Sequence, residues 1–99
     1  MRNMQKPLLE EIKSKALPIL KEAHIKKAAL FGSYVKGEQR DDSDIDMLIA
    51  FPDNATLIDL VRLKRSLENQ LKKKIDIVSY NGIYPKLRDY ILGNQYPIL

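Results

Sequence analysis

Apolar side chains recur at three- and four-residue steps through Leu8, Leu9, Ile12, Ala16, Ile19, Leu20 and Ala23, a period that predicts an amphipathic first helix. Pro7 suits the first turn of such a helix, whereas Pro18 is expected to kink or split it. The pattern then changes to a short apolar run, Lys27 to Phe31, closed at once by Gly32, which predicts a buried strand ending in a tight turn. A brief helical stretch and a polar loop, Glu38 to Ser43, follow. Asp44 to Phe51 begins polar and becomes wholly apolar before Pro52, so it reads as a central strand with its charged end at a sheet edge. Thr56 with Asp59 forms a capping-box pattern, after which Leu57, Leu60, Val61, Lys64, Leu67 and Leu71 keep a helical period. Lys72 to Lys74 close that helix with charge favourable to its C-terminal dipole. Ile75 to Ser79 predicts a third strand, and Pro85 to Leu92 a last helix stopped by Gly93. This order implies an α+β domain (α/β mixed). It would hold a small three-stranded mixed sheet with helices packed on one side and the other face open to a substrate. No repeat, low-complexity tract or linker interrupts residues 1–99, which are expected to form one unit.

Composition narrows the chemistry. A chain of 99 residues supports one core. The absence of cysteine excludes disulfides and thiolate zinc sites, and with one histidine any metal must be held by oxygen. Glu10, Glu11, Lys13 and Lys15 interrupt the apolar residues of the first twenty positions, so neither a signal peptide nor a membrane span is expected there, and a cytoplasmic location is. The net charge of +4 suits a phosphate-bearing partner, but a solvated lysine-rich surface explains it as well.

Three acids stand out because they lie within or beside predicted strands: Asp44, Asp46 and Asp76. Side chains two apart on a strand share a face, so Asp44 and Asp46 converge, and pairing of their strand with that of Asp76 would bring the third within about 4.8 Å of backbone spacing. Three such anions repel, and the economical counter-charge is a hard divalent cation, Mg²⁺. Gly32 and Ser33 open a helical turn whose free N–H groups and hydroxyl could receive a phosphate. Two competing motifs fail. The segment from Asp42 imitates a calcium-binding hand but has Met47 where glycine is needed and Asp53 where glutamate is needed. Gly32 to Gly37 has the glycine spacing of a phosphate-binding loop, but Glu38 and Gln39 replace the essential Lys-Ser/Thr pair. His24 is placed as an ordinary helix-end or loop residue, and Tyr80, Tyr84, Tyr90 and Tyr96 as packing residues or part of a partner surface.

Taken together, LFGSYVKGE, SDIDMLIAF and KIDIVS resemble the nucleotidyltransferase superfamily of DNA polymerase beta, in particular the minimal nucleotidyltransferases (MNT) encoded beside HEPN-domain proteins, the MntA-type antitoxins. The resemblance implies that Gly32 and Ser33 grip a nucleoside triphosphate and that Asp44 and Asp46 ligate two Mg²⁺ ions. It implies that Asp76 completes the metal site and helps activate the attacking hydroxyl. Many relatives carry Arg where this chain has Tyr34 and Lys36, and a phosphate role falls to Lys36. The implied activity is Mg²⁺-dependent transfer of AMP from ATP to a tyrosine of a cognate HEPN toxin, making the chain a type VII-like antitoxin; no membrane and no direct nucleic-acid substrate are expected. An alternative is a non-catalytic binding module that neutralises its partner by occlusion and keeps the acids as relics. A small basic nucleic-acid binder lacks the expected aromatic and basic stripe.

Overall fold

The computed structural model describes residues 5–82 and 85–99. Helix α1 (Gln5–Glu22) leads into strand β1 (Lys27–Phe31), the short helix α2 (Ser33–Lys36) and strand β2 (Ile45–Ala50). Helix α3 (Leu57–Leu71), strand β3 (Ile75–Ser79), a 3-10 turn (Tyr80–Gly82), helix α4 (Pro85–Gly93) and the two-residue strand β4 (Tyr96–Pro97) complete it. Pro18 lies inside α1 without ending it. Both Pro18 and Ser14, whose carbonyl the missing N–H would have met, are on the exposed side of the helix, where water can satisfy the freed group.

The sheet runs β3-β2-β1-β4, with β2 antiparallel to β1 and parallel to β3, and α3 supplying the long crossover that parallel pairing requires. It has four strands, not the three expected. The additional strand pairs Tyr96 with Leu30 and Pro97 with Ala29, closing the edge of β1 that would otherwise expose its hydrogen-bonding groups. Two residues, one of them proline, are too few to show an alternating pattern.

Alternation assigns the two faces. Ala28, Leu30, Ile45, Met47, Ile49 and Ile75 join the main core with Leu9, Ile12, Ala16 and Leu20 of α1 and Leu63 and Leu67 of α3. The opposite face presents Phe31, Ala29, Leu48 and Val78, and against these pack Tyr80 and, from α4, Ile91 and Leu92. The expectation of helices on one side therefore describes α1 and α3, while α4 covers part of the second face. The capping box of α3 is formed as expected: Thr56 N–H donates to Asp59 Oδ2 at 2.9 Å and Asp59 N–H to Thr56 Oγ1 at 3.3 Å. Leu57 and Val61, predicted to be on the apolar stripe, are exposed by 75% and 49%, because the buried stripe of α3 runs instead through Leu63 and Leu67.

Candidate active site

β2 and β3 run in register, so Ile45 faces Ile75, Asp46 faces Asp76 and Met47 faces Ile77. The alternation that buries Ile45, Met47 and Ile75 beneath α1 and α3 turns Asp46 and Asp76 to the opposite face. Asp44 precedes β2 by one residue and is half-buried, as is Asp46, while Asp76 is exposed. Burial, then the charges of Asp76 and Asp44, push the Asp46 carboxyl up to about 6. Asp46 therefore feels both other acids, and the three form one electrostatic group.

Gly32 ends β1 and caps α2 with φ 78°, a conformation that glycine adopts without strain. A Cβ built there would overlap Asp46 Oδ2 and lie 3.1 Å from Asp46 Cγ. Glycine at position 32 thus leaves the room that the Asp46 carboxylate occupies. Its carbonyl accepts the N–H groups of Val35 and Lys36 at 3.1 and 3.2 Å, which sets α2 directly above the end of β1 with half-buried Ser33 as its first residue. Within this one turn the side chains diverge. Tyr34 is buried in the main core, whereas the Lys36 ammonium lies 4.5 Å from the centre of the Tyr90 ring of α4.

The six residues singled out in the sequence thus separate into a close group and an outlier. Asp44, Asp46 and Asp76 interact, Gly32 touches Asp46, and Ser33 adjoins Gly32, but Lys36 is engaged with an aromatic ring. Tyr90 was legible only as one of several tyrosines near the C-terminus, since no spacing ties position 90 to position 36. The loop leading to Asp44 has its own anchors: Lys73 Nζ donates to the Asp41 carbonyl and Tyr34 Oη to the Ser43 carbonyl at 3.5 Å.

The donor set suits a hard cation, being carboxylate oxygen throughout. Among the described residues no three His, Cys, Asp or Glu side chains already enclose a metal position by themselves. The mutual repulsion at Asp46 is the better guide to what the open cluster can do. Mg²⁺ is commonly held by one or two carboxylates with water and substrate phosphate oxygens completing its shell, so an unclosed group of acids fits it. A hollow of about 760 Å³ opens at the other end of β2, lined by residues such as Ile19, Ala23, Phe51, Pro52 and Leu63. None of the three acids lines it, so its size does not make it the reaction site.

Comparison with known proteins agrees with this geometry. Residues 14–99 match the family model described as polymerase beta, nucleotidyltransferase. A chain of Methanocaldococcus jannaschii, provisionally named a protein adenylyltransferase, is 46% identical over 92% of this chain and 98% of its own length. Protein adenylyltransferase MntA of Thermococcus cleftensis is 36% identical over 76% of this chain and 80% of its own. A solved structure, provisionally assigned as a minimal nucleotidyltransferase, superimposes with a TM-score of 0.77 at 38% identity and covers 90% of this chain and 94% of that one. The fold is also that of one chain in the structure of a tri-AMPylated Shewanella oneidensis HEPN toxin in complex with MNT antitoxin, with TM-score 0.70, 19% identity, and coverage of 92% of this chain and 71% of that one. With an acid trio at the paired ends of β2 and β3, a glycine packed on its central carboxylate and a family match over most of its length, this chain belongs to the polymerase beta nucleotidyltransferase family.

Proposed function

We propose that the protein is an adenylyltransferase that moves AMP from ATP to a protein hydroxyl, and that it serves as the antitoxin of a HEPN-domain toxin whose tyrosine is the acceptor. The observation that carries this reading is the placement of Asp46 directly across from Asp76, with Asp44 beside them and Gly32 packed against Asp46. The names of the relatives support the reaction, and the HEPN complex with the same fold supports the partner.

Asp44, Asp46 and Asp76 would hold Mg²⁺, two ions in all, whose charge offsets that of the triphosphate and of the oxygens between which phosphorus moves. Gly32 and Ser33 would receive the β- and γ-phosphates with the N–H groups of the first turn of α2 and the Ser33 hydroxyl. Lys36 would have to leave the Tyr90 ring to reach those phosphates. The acceptor oxygen attacks the α-phosphorus, the bond from that phosphorus to the bridging oxygen breaks, and pyrophosphate leaves on the Gly32 side. The proton of the acceptor hydroxyl passes to Asp76, the most exposed of the three acids and so the one most open to an incoming protein. A tyrosyl hydroxyl suits this step because its pKa near 10 is far easier to lower than that of serine. Among the described residues the acids line neither the hollow at the other end of β2 nor the small one beside Lys73, which suits an acceptor that brings its own binding surface. Among the described residues no helix is long and apolar enough to cross a membrane, and the reading places the reaction in the cytoplasm.

Titration calorimetry with ATP tests the site. Binding should require Mg²⁺, since three clustered acids otherwise repel the triphosphate. Equal ATP affinity with Mg²⁺ and with a chelator would contradict the assignment.

A further inference from the structure

We propose that Lys73 is a positioning residue for the transfer reaction, tying the loop that delivers Asp44 to the turn that delivers Asp76. The inference rests on reading the acids as the nucleotidyltransferase site. Between α2 and β2 the chain has neither helix nor strand, and Glu38, Arg40, Asp41 and Asp42 are exposed. Within this loop, Arg40 N–H donates to Ser43 Oγ at 2.7 Å and Ser43 N–H to the Arg40 carbonyl at 3.0 Å. Those bonds are internal to the turn. The loop is tied at its start by Glu38 N–H on the Ser33 carbonyl at 2.9 Å, and the bond from Lys73 Nζ to the Asp41 carbonyl ties its middle to the segment between α3 and β3. Tyr34 Oη on the Ser43 carbonyl, at 3.5 Å, is a longer and weaker further tie.

Lys73 is itself anchored on both sides. Lys72 takes a left-handed conformation and its N–H meets the Glu68 carbonyl at 2.8 Å, ending α3. The Lys74 carbonyl accepts the N–H of Ile45, the first residue of β2, at 2.9 Å, and Glu68 Oε2 accepts the N–H of Ile75 at 3.1 Å. The backbone at 73 is therefore fixed with respect to both acid-bearing strands, three residues before Asp76. Its side chain is half-buried and lines a small hollow with the apolar Leu8, Ile12, Ile45 and Leu71 and the charged Glu11 and Lys15, whereas the side chains of Lys72 and Lys74 are exposed. A half-buried stem with its charged end on a loop carbonyl has less freedom to lose than a solvated lysine. Its ammonium also sets a positive charge beside the segment containing Asp41, Asp42 and Asp44. A metal ligand on an exposed loop needs such support, because sub-ångström placement decides affinity.

The test compares the wild type with Lys73→Met, which keeps the stem and removes the donor, and Lys73→Arg, which restores it. Mn²⁺ binding without nucleotide is measured by calorimetry, and exchange of the Ser43 amide by NMR. Loss of the Lys73 charge alone would favour the cation, so the weaker Mn²⁺ binding expected of Lys73→Met, roughly tenfold, reads the lost tie and not the lost charge. Lys73→Met should exchange the Ser43 amide faster at an unchanged melting temperature, with Lys73→Arg close to wild type in both. If Lys73→Met does not fold, Lys73→Gln takes its place with the same expectations. Equal Mn²⁺ binding by wild type and Lys73→Met, or Lys73→Arg failing as badly as Lys73→Met, would overturn the positioning role. Absence of Mn²⁺ binding by the wild type both in this assay and with ATP added would instead overturn the reading of the acids, and the role of Lys73 with it.

Discussion

Asp46 concentrates the conflict between stability and chemistry in one side chain. Its carboxyl is raised from 3.8 to about 6, first by burial and then by Asp76 and Asp44, so the folded chain holds that proton more tightly than the unfolded chain does. Stability from this group is therefore complete below about pH 4 and is lost as pH rises toward 6. Asp46→Asn should be the more stable protein at pH 7 in the presence of chelator, by no more than about 1–2 kcal/mol because the half-exposed carboxylate is screened by solvent. Urea unfolding at pH 4 and pH 7 checks this; a variant no more stable at pH 7 would show that the repulsion is already relieved. The same change should slow AMP transfer at least about a hundredfold, since it removes a metal ligand. Asp76→Asn is expected to lower turnover more than ATP affinity, because Asp76 acts at the acceptor. An Asp76 variant with normal turnover at saturating ATP would contradict that placement. Gly32→Ala should also lose transfer, its Cβ displacing the Asp46 carboxylate, and retained activity would mean that Asp46 can move without cost. The acids were legible because a strand's alternation makes two buried neighbours and two converging carboxylates from one string, Asp44 to Met47. Contact between Gly32 and Asp46 was not, since it follows from β1 and β2 lying antiparallel with Phe31 opposite Asp46.

At the scale of elements, local rules worked where one signal dominated. β1 and β3 fall on the apolar runs that predicted them, and α3 begins at its capping box. Thr56→Ala should cost about 1 kcal/mol, read as a lower urea midpoint, with transfer unchanged because the cap is at the far end of β2 from the acids. A loss of transfer without a loss of stability would tie α3's start to the site, contrary to this account. Local rules failed where packing beyond the element decided the outcome. The apolar stripe of α3 turns away from Leu57 and Val61, α4 crosses to the second sheet face, and β4 exists only because β1 has an edge to be paired.

In the whole molecule, α1 and α3 pack on one face of the sheet, and the other face carries the acids and part of α4. That division explains how so short a chain can position three mutually repelling carboxylates. The repulsion is borne by a core of Leu20, Leu30, Met47, Ile49 and Leu67, all fully buried. The sequence made the acid pair legible, whereas the parallel pairing that brings Asp76 to Asp46 depends on the α3 crossover and could be stated only as a condition. The proposed function stands or falls on a protein acceptor. AMP joined covalently to the proposed toxin partner would make the inhibition outlast separation of the two proteins. The most direct measurement is therefore the intact mass of the proposed HEPN-domain partner, after incubation with this protein, ATP and Mg²⁺ and separation under denaturing conditions. The account predicts one or more AMP units on a tyrosine of that partner, absent with Asp46→Asn. A partner that is inhibited yet carries no added nucleotide would contradict it and show neutralisation by occlusion.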